Sequence, residues 1–352
     1  MSDLNPVSCS AHPAATTGSC PPPAMLYAFS DLEYGLFFRP GDLAPSQAGC
    51  HRYRPERGDW TASLERLRPE VLVSGWTTPP LPLEWIEREH CPLRYVCHLT
   101  GSVRGLIPRV FLERGGLVTN WGGVAASGVA EHALLLALMA LRNQRGWSGI
   151  IQKADEKSPP TYDLQTRTLY GQRVGIHGYG RVARELIKLL QPFNVEIRVY
   201  TAGLEPAIIE GDGHYACATL EELFSQSHIF FECEALNREN AGSASAAMLA
   251  RLPDRAVFVN VGRGQLVDEE ALLRESECGR IRVALDVVQN EPVNASLGFL
   301  RHRDSIISPH IAGPTADRYR SCAESAFQNL SRYLSGQRLK NLVTLEAYDR
   351  ST

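Results

Sequence analysis

Val174-Gly175-Ile176-His177-Gly178-Tyr179-Gly180-Arg181-Val182-Ala183 is the strongest local signal in this chain of 352 residues. A short apolar run ends at Gly178, and beyond it Val182, Leu186 and Leu190 recur at helical spacing. Strand-like sequence therefore gives way to helix-like sequence at one point. Gly178-x-Gly180-x-x-Ala183 falls on that turn, which is the context a dinucleotide fingerprint requires. Each small residue has its own task. Gly178 allows the tight turn, Gly180 lets the backbone approach a pyrophosphate, and Ala183 lets the helix pack on the strand. The helix start, with Tyr179, Arg181 and Val182 around it, offers unpaired N–H groups to phosphates.

Outward from this loop, short β-like runs alternate with helical patterns. Upstream lie Met25 to Phe29, Val71 to Val73 and Leu93 to Cys97. Downstream lie Ile197 to Tyr200, Ile229 to Phe231, Val257 to Val259, Val283 to Leu285 and Ser305 to Ile307. Such alternation predicts an α/β fold with parallel sheets covered on both faces. Gly122 to Ala126 leads into a strongly helical segment, Val129 to Asn143, which places a boundary near Ser127. A loop-rich stretch, Lys153 to Gln165, follows it. A closing helix is expected from Ala316 to Gly336, where Tyr319, Cys322, Ala326, Leu330 and Tyr333 keep helical spacing and Gly336 serves as a stop. The expected organisation is a disordered tail over 1–24, a substrate domain beginning over 25–126, a dinucleotide-binding domain over 127–316, and a return over 317–352.

Composition narrows the function. A formal net charge of −3 gives no electrostatic case for nucleic acid or an anionic membrane surface. No apolar run reaches the ~18 residues of a spanning helix. The first 24 residues lack a basic start and an apolar core, so they read as a tail and not as a secretion signal. Nine scattered cysteines without a CxxC pair argue against a disulfide framework or a zinc site, and for a reducing cytoplasm. Cys97-His98 is the nearest thing to a ligand pair and reads as buried side chains at a strand end.

Three later segments place polar residues just after apolar strands. Val257-Phe258-Val259-Asn260 runs into Val261, Gly262 and Arg263. Val283-Ala284-Leu285 is followed by Asp286 and then Glu291. Ile306-Ile307 is followed by Ser308-Pro309-His310. Ligands of open parallel sheets bind at the carboxyl ends of strands, so these groups are expected to converge beside a nicotinamide. Arg263 offers a planar charged fork for a carboxylate and a carbonyl oxygen. His310 can exchange a proton with that oxygen, and Glu291 can hold the imidazole and favour its charged form. Asp286 can accept a hydrogen bond from the nicotinamide carboxamide. Thr201 stands after the Ile197 to Tyr200 run, where an acid usually holds the ribose 2′-hydroxyl. A neutral hydroxyl predicts weak discrimination, so NAD or NADP stays open.

At these residues the sequence resembles the D-isomer-specific 2-hydroxyacid dehydrogenases. The resemblance runs from about Leu93 to the C-terminal helix. It rests on Val129-Ala130-Glu131-His132, the glycine loop, Asn260-Val261-Gly262-Arg263-Gly264, Leu285-Asp286-Val287 with Glu291-Pro292, and Ser308-Pro309-His310. It implies a Rossmann-type cofactor domain inserted in a smaller flavodoxin-like α/β substrate domain, and an Arg263–Glu291–His310 triad acting on a small 2-oxo or 2-hydroxy acid. It also implies a homodimer, with the helix of Val129 to Asn143 near the contact. There are departures. Thr201 replaces the family's acid, Ala235 a proline lining the cofactor pocket, and His228 an Asp. Thr100-Gly101-Ser102-Val103-Arg104 replaces a glycine-rich loop ending in Asp. The N–H groups of Gly101, Ser102 and Val103 are still expected to meet the substrate carboxylate. Arg104 adds a positive charge, either for a second anionic group such as phosphate or as an exposed loop charge. Trp76 either restricts the pocket or packs locally. The alternative is a non-catalytic NAD(H)-sensing corepressor, and a metal-dependent hydrolase lacks a ligand cluster.

Overall fold

The computed structural model describes residues 23–39, 49–56, 58–152, 164–294, 296–302 and 305–350. All but the last two residues of the expected tail, and most of the expected Lys153 to Gln165 loop, lie outside them. The first sheet holds β1 (Met25–Ala28), β2 (Cys50–Tyr53), β3 (Val71–Ser74), β4 (Tyr95–His98) and β5 (Leu117–Thr119) in the order β2-β1-β3-β4-β5. Every pairing is parallel. That order is the flavodoxin-like one. The central strands β1, β3 and β4 are buried along their whole length, which explains their unbroken apolar runs.

The second sheet holds β6 (Arg173–His177), β7 (Glu196–Tyr200), β8 (Tyr215–Ala216), β9 (Ile229–Glu232), β10 (Val257–Asn260), β11 (Arg282–Leu285) and β12 (Ser305–Ile307). Its order is β12-β11-β10-β9-β6-β7-β8. Strand order reverses between β6 and β9. This is the Rossmann arrangement with one added strand, and the reversal is its ligand-binding switch point. Sequence reading missed β2, β5 and β8. β2 is an edge strand whose His51 and Arg52 are exposed, and β8 has two residues; neither needs an apolar run.

The helix Ala126–Leu141 starts slightly earlier than its periodicity suggested and ends at Leu141. It packs on the helix Arg181–Leu190, and Ala130, Ala133, Ala137 and Ala140 face Ala183, Leu186 and Leu190 in one core. Small residues on one side let the backbones approach, so the nearly all-apolar helix is buried along most of its surface. The closing helix Tyr319–Leu334 covers the other sheet, burying Cys322, Ala323, Ala326 and Leu330 against Tyr27, Val73, Tyr95 and Cys97. The chain after it bonds back to β5, where Val343 N donates to Val118 O at 2.8 Å. The first sheet is thus completed by both ends of the chain. Among the described residues no helix is long and apolar enough to cross a membrane.

Candidate active site

The glycine loop leaves β6 beside the switch point. Gly178 has φ +94° and its N–H donates to Tyr200 O at 2.8 Å. A Cβ on Gly178 would stand 2.8 Å from Glu234 Cα, so backbone from the end of β9 occupies the place of a side chain. Gly180 differs: its backbone is extended and a Cβ there would meet nothing within 4 Å. It is the N-cap of the helix Arg181–Leu190 and brings no side chain to the first-turn N–H groups. An open concavity under unsatisfied helix N–H groups fits a dinucleotide pyrophosphate. The Tyr179 side chain turns away, donating to Asp212 at 2.6 Å with Arg184 over its ring, so the cradle is made of backbone. Arg181 lies against Gly123, at the crossing from the first sheet to the second.

Arg263, Asp286 and His310 stand beyond the carboxyl ends of β10, β11 and β12, three neighbouring strands. Asn260 shapes the first turn, accepting from Gly262 N at 2.9 Å and donating to Arg263 O at 3.0 Å. Burial lowers the Arg263 pKa, with Glu291 opposing the fall; a guanidinium stays charged regardless. A Cβ on Gly264 would be 2.0 Å from the Val288 carbonyl carbon, so the Arg263 turn and the turn carrying Glu291 are in backbone contact. His310 adopts a left-handed conformation, φ 54°, as do Arg68, Asn143, Gln165, Asn194, Arg255 and Asn341. Its Nδ1 lies 2.6 Å from Glu291 Oε2, and its Nε2 has no partner among the described residues. The ring is 46% exposed, so the free nitrogen is reachable.

Asp286 is 1% exposed. It accepts from Ser308 Oγ at 2.7 Å, Ile311 N at 2.9 Å and Ala312 N at 3.0 Å, while its own carbonyl accepts from His310 N at 2.9 Å. Burial pushes its pKa up, but bonds from His132, Ser308 and the two amides outweigh burial and hold it low. Asp286 therefore clamps the loop that presents His310. His132, from the helix Ala126–Leu141, completes the clamp at 2.9 Å from Ser308 Oγ.

On the facing sheet, His98 at the end of β4 bridges two loops. Its Nδ1 is 2.9 Å from Ser74 Oγ and its Nε2 is 2.5 Å from Thr100 Oγ1. Burial drives its pKa down to about 4, so it is neutral. Gly101 is held by Asn120 at 2.6 Å, Val103 buries its side chain, and Ser102 is exposed. Arg104 lies 5.9 Å from the Tyr348 ring centroid. Trp76 both packs and faces out: it contacts Phe37, Trp121 and Tyr319 within 5.8 Å and remains 50% exposed. Cys97 and His98 are buried, with Cys97 Sγ 3.3 Å from Ala326 O.

Just beyond β7, Thr201 donates to Glu234 Oε2 at 2.8 Å. Glu234 and the buried pair His177–Glu232 at 2.8 Å were not read from the sequence, and His132 and Asn260 were read only as parts of motifs, without a role. Ala235 is exposed, and its N–H donates to Glu234 Oε1 at 2.9 Å. Val261 and Gly262 are buried at the turn before Arg263.

A Rossmann sheet with an open phosphate cradle, and with Arg263 and a carboxylate-held histidine beyond the ends of its strands, defines a dinucleotide-dependent oxidoreductase. Comparison with known proteins gives the particular family. Residues 134–312 match the D-isomer specific 2-hydroxyacid dehydrogenase NAD binding domain. A hydroxypyruvate reductase of Blautia hydrogenotrophica is 27% identical over 312 residues, covering 86% of this chain and 95% of that protein. A glyoxylate reductase of Thermofilum pendens is 29% identical over 236 residues, covering 66% and 70%. The NADPH-dependent glyoxylate/hydroxypyruvate reductase of Sinorhizobium meliloti, solved with citrate, superposes with a TM-score of 0.75 at 24% identity over 94% of this chain and 99% of that one. The chain belongs to the D-isomer-specific 2-hydroxyacid dehydrogenases. It is an enzyme that moves a hydride between NAD or NADP and a 2-hydroxy or 2-oxo acid.

Proposed function

We propose that this enzyme reduces small 2-oxo acids of the glyoxylate and hydroxypyruvate kind, with Arg263, Glu291 and His310 as its catalytic residues. The observation that carries the assignment is the His310–Glu291 contact of 2.6 Å beside Arg263, with Nε2 left open. The bound nicotinamide supplies the hydride, or takes it in the reverse direction. Arg263 holds the substrate carboxylate and polarises the carbonyl through its planar fork. The N–H groups of Gly101, Ser102 and Val103 receive the carboxylate from the other side. His310 gives a proton from Nε2 to the carbonyl oxygen in reduction and takes it back in oxidation, while Glu291 at Nδ1 fixes the ring. Asp286, besides clamping the loop, keeps a lone pair on Oδ2 for the carboxamide. Trp76, standing on three aromatic rings, caps the side-chain end of the pocket and favours short substrates. Arg104, whose guanidinium lies over Tyr348, is the charge that would meet a second anion.

The domains we assign are 25–126 with 317–352 for substrate and 127–316 for cofactor. We assign the enzyme to the cytoplasm, since the described cysteines are all unpaired. A homodimer is supported by exposed Leu135, Trp147 and Ile151 on and just after the helix Ala126–Leu141. The test of function is a panel of 2-oxo acids assayed with NADH and NADPH. Turnover greatest on glyoxylate or hydroxypyruvate is expected. Tight cofactor binding with no turnover on any acid would instead make the chain a non-catalytic sensor.

A further inference from the structure

We propose that Glu234 replaces the missing acid at Thr201 and makes this enzyme selective for NAD(H) over NADP(H). The inference rests on the glycine loop as the cofactor cradle. The acid that normally reads the ribose 2′-hydroxyl ends the strand after the loop helix. That strand is β7, and Thr201 follows it. Here the carboxylate arrives from a different strand, two places along the chain beyond β9, and is delivered onto Thr201 itself at 2.8 Å.

Its position is fixed by its surroundings. Glu234 N–H donates to Glu232 Oε1 at 3.0 Å, and the other Glu232 oxygen holds His177 at 2.8 Å. Glu232 and His177 are 0% and 3% exposed, so a buried pair anchors the Glu234 backbone. The same backbone packs into the space left by Gly178. The two carboxylate oxygens are oriented separately, one by Thr201 and the other by Ala235 N. Each oxygen keeps a lone pair for a ribose hydroxyl.

The charge is not neutralised. No Lys or Arg forms an ion pair with Glu234 among the described residues. The segment Thr201 to Glu210 contains Glu205 and Glu210 and no Lys or Arg. A 2′-phosphate of roughly two negative charges would meet a carboxylate with no cation to receive it. At contact distance, even in a water-like dielectric, that disfavours the phosphorylated cofactor by on the order of thirtyfold. The weak discrimination expected from Thr201 alone is thereby replaced by selectivity.

Calorimetric titration of the purified protein with NADH, NADPH, 5′-AMP and adenosine 2′,5′-bisphosphate tests this without turnover. NADH is expected to bind on the order of thirtyfold more tightly than NADPH, and 5′-AMP more tightly than the bisphosphate. Glu234→Gln keeps the size and the bond from Thr201, and should bring the NADH-to-NADPH ratio to within about threefold. Wild-type selectivity should also shrink between about 20 mM and about 500 mM salt, a readout that needs no variant. Equal wild-type affinities, a preference for NADPH, a ratio unchanged in Glu234→Gln, or one indifferent to salt would overturn the proposal while leaving the cradle in place. Failure of wild type to bind either dinucleotide would overturn the cradle reading, and the proposal with it.

Discussion

His98 ties the stability of the substrate side to pH, and the effect can be worked through. The imidazole is 2% exposed and joins Ser74 at the end of β3 to Thr100 after β4. Burial lowers its pKa from 6.5 to about 4. Between those values the unfolded chain takes up a proton that the folded one refuses, so acid favours unfolding. The stabilisation is complete above the unfolded value and is lost as pH falls towards the folded one. Over the whole window the loss approaches about 3 kcal/mol, and from about pH 7.5 to about pH 5 it is about 2 kcal/mol. Four of the five tryptophans, Trp60, Trp76, Trp85 and Trp121, belong to the first sheet and its connections, so urea unfolding followed by their fluorescence reports on this region. His98→Gln can still bridge two hydroxyls but does not titrate. Its stability should fall by about 2 kcal/mol less than that of wild type over the same pH interval. Equal losses in the two proteins would show that His98 is not held neutral by burial. His98→Ala, which removes the brace between the Ser74 and Thr100 loops, should also raise KM for the oxo acid.

The two loop glycines should separate cleanly. Gly180→Val is expected to keep the wild-type Tm and abolish measurable NADH binding by calorimetry, whereas Gly178→Ala, forced to φ +94° against backbone, should lower stability by about 2 kcal/mol or more in thermal unfolding. His310→Gln should retain cofactor affinity and lose roughly 10²–10⁴ in kcat for reduction; turnover near wild type would remove His310 from the role of acid. Arg104→Ala should raise KM for phosphorylated or dicarboxylic oxo acids and leave that for glyoxylate unchanged, and equal effects on both would exclude a second-anion site.

The parts of this enzyme written into contiguous sequence were readable in advance. The glycine loop announces itself because a strand end, a turn and a helix start follow one another within ten residues. The buried strands are apolar throughout because both faces are covered, and polar residues immediately after them locate Arg263, Asp286 and His310. What was hidden depends on distant partners. His132 and Ser308 are 176 positions apart and meet only because the helix Ala126–Leu141 lies over the cofactor sheet. Glu234 looks like an unremarkable surface acid until β9 is set beside β6 and its chain end is carried to Thr201. The direction of Tyr179 was likewise illegible, since Asp212 lies 33 positions away.

The first sheet is bordered by helices from both ends of the chain, and this has a consequence for biosynthesis. β1, β3 and β4 emerge from the ribosome early, with Tyr27, Val73, Tyr95 and Cys97 on the face that the helix Tyr319–Leu334 finally covers. Roughly two hundred residues separate β5 from that helix, so at ~5–20 residues per second the face stays bare for about 10–40 s. During that interval the cofactor sheet, continuous in sequence, can form beside it. The nascent protein thus passes through a stage with one finished Rossmann unit and one greasy, half-dressed neighbour, the stage at which a chaperone has most to bind.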